Sequence, residues 1–372
     1  LYVLEGAGVD ITSVELIHVN NAYRLEEDGV AWPEMLIRRD LTLEATDRLS
    51  EVGGRVAEMF EVLDAPSAPE VYATKALCSR PWRCDYFDHC MAAKPDDWAG
   101  LLYRIHSNRL AALHSQGIES IPDIPEDFQL PEKQAIALDC IASGEIWVSD
   151  DLKDAILCFG PPAYYMDFET TAPGIPIYVD TRPYETVPFQ FSVHYMNEDG
   201  ALSHTAYLAE GDRHPGREFA EELIKAMDRT DIPVVVYNQS FELGVLDALR
   251  QMFPDLAAGI GAIMENVMDL LPLVRDHVCH PGFITKRSLN AGTYSIKNVL
   301  PALVPSMSYA NLEGVAEGGE ASRVFAAIAH GAYTGREADD YRQQLLDYCE
   351  QDTLAMVEIQ RALESLCAPT KT

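Results

Sequence analysis

Three short fragments of this chain place acids where acids are hard to accommodate. Asp167 and Glu169 lie two residues apart in Ala163-Tyr164-Tyr165-Met166-Asp167-Phe168-Glu169, a run that reads as a buried strand. Period-two geometry turns both carboxylates to one face. Like charges at that range repel, and a divalent cation removes the conflict. Tyr348 and Asp352 are spaced i, i+4, so on a helix they share a face. Such a pair offers a metal ligand beside a hydroxyl that can orient water. Between them, Val236-Tyr237-Asn238-Gln239-Ser240-Phe241-Glu242 runs from a strand through a polar turn into a helix with an acid on its first turn. Each fragment alone also has an ordinary structural reading. The pair suits a solvated sheet edge, Glu242 suits a helix N-terminus, and Asp352 suits a surface position beside a core tyrosine.

A second group is made of sulfur. Cys78, Cys84 and Cys90 are evenly spaced, with five residues in each gap. Zinc fingers use shorter gaps, and three thiolates alone complete neither a tetrahedral site nor a cubane. His89 is a candidate fourth ligand. In a reducing compartment such a cluster reads as metal or iron–sulfur ligation rather than as disulfides. A cytoplasmic setting is expected, since no secretory signal is read at the start. The chain opens on Leu1 rather than Met, as a fragment would.

The elements that must position these residues follow from hydrophobic periodicity. Residues 1 to about 75 mix short strands, Tyr2–Leu4 and Val14–Val19, with a helix. That helix, Leu49–Leu63, carries an apolar face of Val52, Val56, Met59, Phe60 and Leu63. Trp98–Leu113 and Glu132–Ser143 read as helices. From about Pro161, strands are predicted over Ala163–Glu169, Phe189–Tyr195, Thr205–Leu208 and Pro233–Tyr237. Helices are predicted over Arg217–Asp228 and Phe241–Met252, with helix-rich sequence beyond. This order is that of an α/β fold: a ribonuclease-H-like mixed sheet flanked by helices, with a smaller, mainly helical N-terminal region.

Composition narrows the partners. The 372 residues carry 28 Lys+Arg against 59 Asp+Glu, a formal net charge of −31. Such a surface argues against an electropositive coat that holds nucleic acid indiscriminately. It leaves room for a local basic groove. No run of about 18 apolar residues occurs, so no membrane partner is expected.

Taken together, the three acidic fragments resemble the DnaQ-like, or DEDD, 3′–5′ exonuclease superfamily in its Tyr-containing subtype. Asp167 and Glu169 match the Asp-x-Glu strand. Asn238 through Glu242 match the Asn-x-x-Phe-Asp turn, with Glu in place of the usual Asp. Tyr348 and Asp352 match Tyr-x3-Asp. Ser295-Ile296-Lys297 is similar to a Ser-Leu-Lys element that often precedes that motif, and Asp269 matches an acid beside the site. A His-type variant would want His five residues before its last Asp, where this chain has Asp347. The resemblance covers roughly residues 160 to 367. It implies catalysis by Asp167, Glu169, Glu242, Tyr348 and Asp352. The four carboxylates would hold two Mg²⁺ or Mn²⁺ ions about 4 Å apart. Asn238 and Lys297 would meet the substrate, DNA or RNA, with Lys286-Arg287 as further phosphate contacts.

The cysteine segment and the run Leu16-Ile17-His18-Val19-Asn20-Asn21-Ala22-Tyr23 resemble the C-terminal end of iron–sulfur RecB-like nucleases. These supply three cysteines near the domain end and one far upstream. The expected layout is then a RecB-like remnant over 1–100, a helical connector over 101–160 and the exonuclease domain over 161–372. Cys78, Cys84 and Cys90 would hold an iron–sulfur cluster in a full-length protein with an N-terminal nuclease domain, and would be incomplete in this fragment. The fusion resembles a bacterial domain-of-unknown-function family. The expected activity is two-metal 3′–5′ exonuclease cleavage. The rivals are a non-catalytic nucleic-acid or partner-binding module on the same scaffold, and a phosphoesterase acting on small nucleotides.

Overall fold

The computed structural model describes residues 1–68, 78, 82–286, 289, 292–309, 314–315 and 317–368. These form two compact units. One comprises Leu1–Val71 with Ala172–Glu185; the other comprises Tyr72–Thr171 with Thr186–Thr372.

The first unit holds an antiparallel pair, β1 (Glu15–Val19) and β2 (Leu36–Asp40), and a long helix, α1 (Thr42–Asp64). Tyr2–Leu4, expected as a strand, lies instead in a short helix, Tyr2–Gly6. Its ends bond locally, with Glu5 N donating to Leu1 O, so no neighbouring strand is needed. The helix predicted from Leu49 to Leu63 is present, but none of its residues is buried. Met59, Phe60 and Leu63 are 62%, 59% and 75% exposed. The small core of this unit is Tyr23, Leu25 and Met35.

The second unit is built on five strands: β4 (Ala163–Thr171), β5 (Val187–Met196), β6 (Leu202–Leu208), β7 (Val234–Val236) and β8 (Val267–Asp269). A separate two-residue pair joins β3 (Trp147–Val148) to β9 (Val278–Cys279). The sheet order is β6-β5-β4-β7-β8. β5 runs antiparallel to both neighbours, while β4, β7 and β8 run parallel. This is the mixed α/β sheet packed against helices that the element order predicts.

Strand β4 shows why the site faces as it does. Tyr164, Met166 and Phe168 point into one core, shared with Phe219, Leu223 and Leu246 of the helices α2 (Gly216–Ala226) and α3 (Ser240–Met252). Tyr165, Asp167 and Glu169 therefore take the opposite face. That face is covered by the helices α4 (Gly318–Ala329) and α5 (Gly335–Leu366). Tyr165 Oη donates to Gln360 Oε1 of α5 at 2.9 Å. Glu169 pairs with Gln190 and Thr170 with Pro188, so Phe189 is the extra residue of a β-bulge. Its ring stacks on Phe325 of α4 with centroids 4.0 Å apart.

Residues between 82 and 160 share the core on the α5 side, through Trp98, Leu113, Ile121 and Leu152. Within this stretch Glu132–Ser143 is helical as predicted. The run from Trp98 to Leu113 is not one helix: a 3-10 turn, Ala99–Leu101, is followed by a helix only at Ser107–Ser115. Arg104, at φ 53°, breaks the run between them.

Candidate metal centre

The site begins with two strand residues and one helical residue. Asp167 and Glu169 come from β4; Asp352 comes from the buried face of α5. Their ligand oxygens lie within 4.8 Å of one another. Among the described residues, this is the one group of three or more acids, histidines or cysteines gathered so closely. Asp167 is half-buried, while Glu169 and Asp352 are 7% and 9% exposed.

Burial and mutual repulsion make these groups hard to ionise. The Asp167 carboxyl is held well above the usual carboxylate range, first by burial, then by the charges of Asp352, Glu169 and Glu242. Burial, aided by Asp352, pushes Glu169 up to about 8. Asp352 is pushed up to about 6 by burial, against hydrogen bonds from Tyr309 and Tyr348 and the charge of Lys297. Tyr309 Oη donates to Asp352 Oδ1 at 2.5 Å, which fixes that oxygen. Gly318 opens α4 beside Glu169: a Cβ on it would sit 3.6 Å from Glu169 Oε2. The helix N-terminus thus offers the carboxylate a favourable partial charge. Cys349 is a fully buried thiol with Sγ 3.7 Å from Asp167 Oδ2.

Lys297 is the cation of the site. Its Nζ lies 5.4 Å from the ring centres of both Tyr309 and Tyr348. Its charge lowers the pKa of Glu169 and Asp352. Ser295 stands at the N-cap position of the helix Ile296–Leu303, which carries Lys297. Tyr348 is 4% exposed, and burial keeps its phenol protonated far above neutral pH.

Glu242 lies outside the group of three, and its charge adds to those that hold the Asp167 carboxyl high. It sits on the first turn of α3, 3% exposed, with Oε2 lacking a hydrogen-bond partner. Burial, with the charge of Asp269 adding, pushes it up to about 7. The turn before it is held by Asp269, whose carboxylate accepts from Asn238 N at 2.8 Å and Gln239 N at 3.1 Å. Asn238 takes the left-handed conformation, at φ 79°. An Asn tolerates it better than most residues. Asn238 is exposed on this turn.

Other expected residues stand apart. Lys286 Nζ pairs with Asp96 Oδ1 at 3.1 Å, and Arg287 lies outside the described residues. Cys78 is partly buried, Cys84 and Cys90 are exposed, and their three sulfurs are not gathered within 4.8 Å of one another. Sequence reasoning missed Tyr309, Gly318 and Cys349. Cys349 sits inside the Tyr348–Asp352 motif and carried a signal; Tyr309 and Gly318 lie in stretches without periodicity.

Residues 164–288 match the family described as a domain of unknown function, DUF2779. The matched stretch contains Asp167, Glu169, Glu242 and Asp269; Lys297, Tyr348 and Asp352 follow it. No curated protein and no solved structure matches the chain. No described helix is long and apolar enough to cross a membrane.

Proposed function

We propose that this chain is a metal-dependent 3′–5′ exonuclease that hydrolyses phosphodiester bonds of DNA or RNA. The observation that carries the reading is the gathering of Asp167, Glu169 and Asp352 within 4.8 Å, half-buried or buried, with Lys297 the cation beside them. Hard divalent cations take carboxylate oxygens, and the partnerless Glu242 Oε2 adds a further donor nearby. Bound there, such cations would lower the pKa of an attacking water and neutralise the leaving 3′-oxygen.

The protein's own groups have separate tasks. Asp352 is held in place by the Tyr309 hydroxyl. The Tyr348 hydroxyl would position the attacking water or help deprotonate it. Lys297 adds positive charge where the phosphodiester's charge grows. Water oxygen bonds to phosphorus, the bond to the 3′-oxygen breaks, and that oxygen takes up a proton.

The test is digestion of 3′- and 5′-end-labelled single strands of DNA and RNA with Mn²⁺, by wild type and Asp167→Ala. A stepwise ladder from the 3′ end, lost in the variant, supports the reading. Absence of metal-dependent hydrolysis on every substrate sinks it. Glu242 lying outside the close group favours the second reading, a non-catalytic binding module on this scaffold.

A further inference from the structure

We propose that a cleft beside the carboxylates seats one unstacked nucleotide of a single nucleic-acid strand, its base against Tyr103 and its phosphate at Arg104. The inference rests on reading the carboxylates as a phosphodiester-hydrolysing centre. It adds a substrate subsite built partly by residues outside the sheet and its helices.

The cleft has a volume of about 440 Å³ and is lined by Tyr103, Arg104, Asn238, Arg275, Tyr294 and Ser295, among others. That is the size of a small-ligand site. Two of its lining residues stand on segments that lead into helices of the metal centre. Asn238 belongs to the turn that leads into the helix of Glu242, and Ser295 caps the helix of Lys297.

Its lining combines rings with a cation. Tyr103 and Tyr294 meet edge to face, with centroids 5.2 Å apart at 75°. The Tyr103 main chain is anchored from behind, its carbonyl accepting from the buried Gln134 Nε2 at 2.9 Å. The Arg104 guanidinium lies 5.1 Å from the Tyr103 ring centre. Two residues on the rim, Arg104 and Asn238, hold left-handed backbone at φ 53° and 79°. For a long side chain such as Arg104 that conformation is uncommon, and such positions concentrate at ligand sites.

Charge bookkeeping selects Arg104 as the anchor. This chain has 59 acids and 28 bases, so a cation there readily finds a carboxylate. Arg275 has done so: its Nε and Nη2 donate to Asp276 at 3.0 and 2.7 Å. Among the described residues Arg104 makes no ion pair; its contact is the Tyr103 ring. An aromatic face beside an unmatched guanidinium suits an aromatic heterocycle that carries an anion. A single strand needs few such contacts, because stacking on aromatic rings supplies sequence-tolerant affinity. A duplex, with its dense phosphate charge, is disfavoured by the acidic surface.

The experiment measures binding apart from turnover. A short fluorescent single strand is titrated by anisotropy into Asp167→Asn protein, which prevents hydrolysis. The same titration is run with Tyr103→Leu, Arg104→Gln or Arg336→Gln added. Arg336 is an exposed control at the start of α5, about 24 Å along that helix from Asp352. Tyr103→Leu and Arg104→Gln are each expected to raise Kd about ten-fold, with Arg336→Gln at parental affinity. Because Arg104 is exposed, its variant keeps the fold, and thermal melting verifies this. Parental affinity in Arg104→Gln, or no strand binding by the parent, overturns the subsite. Hydrolysis by wild type alongside parental affinity in the variants removes the subsite and keeps the nuclease. Binding lost in the variants, with no hydrolysis by wild type, keeps the subsite and removes the nuclease.

Discussion

Helix α5 touches two polar clusters, and they are opposites. Around Thr353 the polar atoms answer one another. Thr353 Oγ1 lies 2.7 Å from Ser192 Oγ and 2.8 Å from His194 Nδ1, and Ser192 Oγ lies 2.9 Å from His204 Nε2. The two histidine rings are 4.6 Å apart, and burial pushes His194 down to about 4, so it is neutral at pH 7. One residue earlier, Asp352 faces Asp167 and Glu169, three acids against one nearby lysine. A cluster whose donors and acceptors match is complete without a ligand. A cluster of buried like charges is completed only by added positive charge or by protons. The first is a structural joint between β5 and α5; the second is where a cation would act.

Breaking the acidic cluster carries the largest expected effect. Asp167→Ala is expected to lower exonuclease kcat at least about 10³-fold, read as loss of the 3′ ladder in Mn²⁺. Tyr348→Phe keeps the ring and removes the hydroxyl. Its expected cost is about 10²-fold in kcat on the same substrate. An undiminished rate would place the water-orienting group elsewhere.

The joint is predicted to respond differently. Thr353→Val keeps the shape but leaves Ser192 and His194 without their shared partner. Urea unfolding should show a loss of about 1–3 kcal/mol. The loss should be the same with and without Mn²⁺, since nothing in that cluster waits for a cation.

The smallest effects concern protons. Glu169, Glu242 and Asp352 have folded pKa values pushed up to about 8, 7 and 6. A carboxyl whose folded pKa is raised binds its proton more tightly in the folded state. Its stabilising contribution is full below the ordinary carboxylate pKa and is lost as pH rises through the folded value. Metal-free protein should therefore lose melting temperature as pH rises through about 5 to 8. Mn²⁺ should restore more at the upper end, where it replaces the protons. Asp167→Asn removes one of the repelling charges. It should raise the metal-free melting temperature by about 2–4 °C near pH 8. A pH-independent melting temperature would remove the electrostatic distinction between the clusters.

Part of this site was legible in the chain itself. The alternation Met166, Asp167, Phe168, Glu169 turned both acids to one face, and the i, i+4 spacing put Tyr348 beside Asp352. Strands β4, β5 and β7 and helix α3 were found within a few residues of their ends. The fate of Met59, Phe60 and Leu63 was not legible: periodicity found their helix, but the structure leaves the face exposed. Tyr2–Leu4 was misread because three apolar residues are too few to separate a strand from a helical turn.

What the sequence determined by itself, then, was which residues share a face. Strand and helix geometry is local, set by backbone sterics and hydrogen bonds within a few residues. Only the tertiary structure decided which faces meet. It brought Tyr309 to Asp352, Gly318 to Glu169, Lys297 between two rings, and Tyr103 with Arg104 to a cleft shared with Asn238. Such contacts join residues far apart in the chain. They are selected by packing of whole elements, and no spacing rule encodes them.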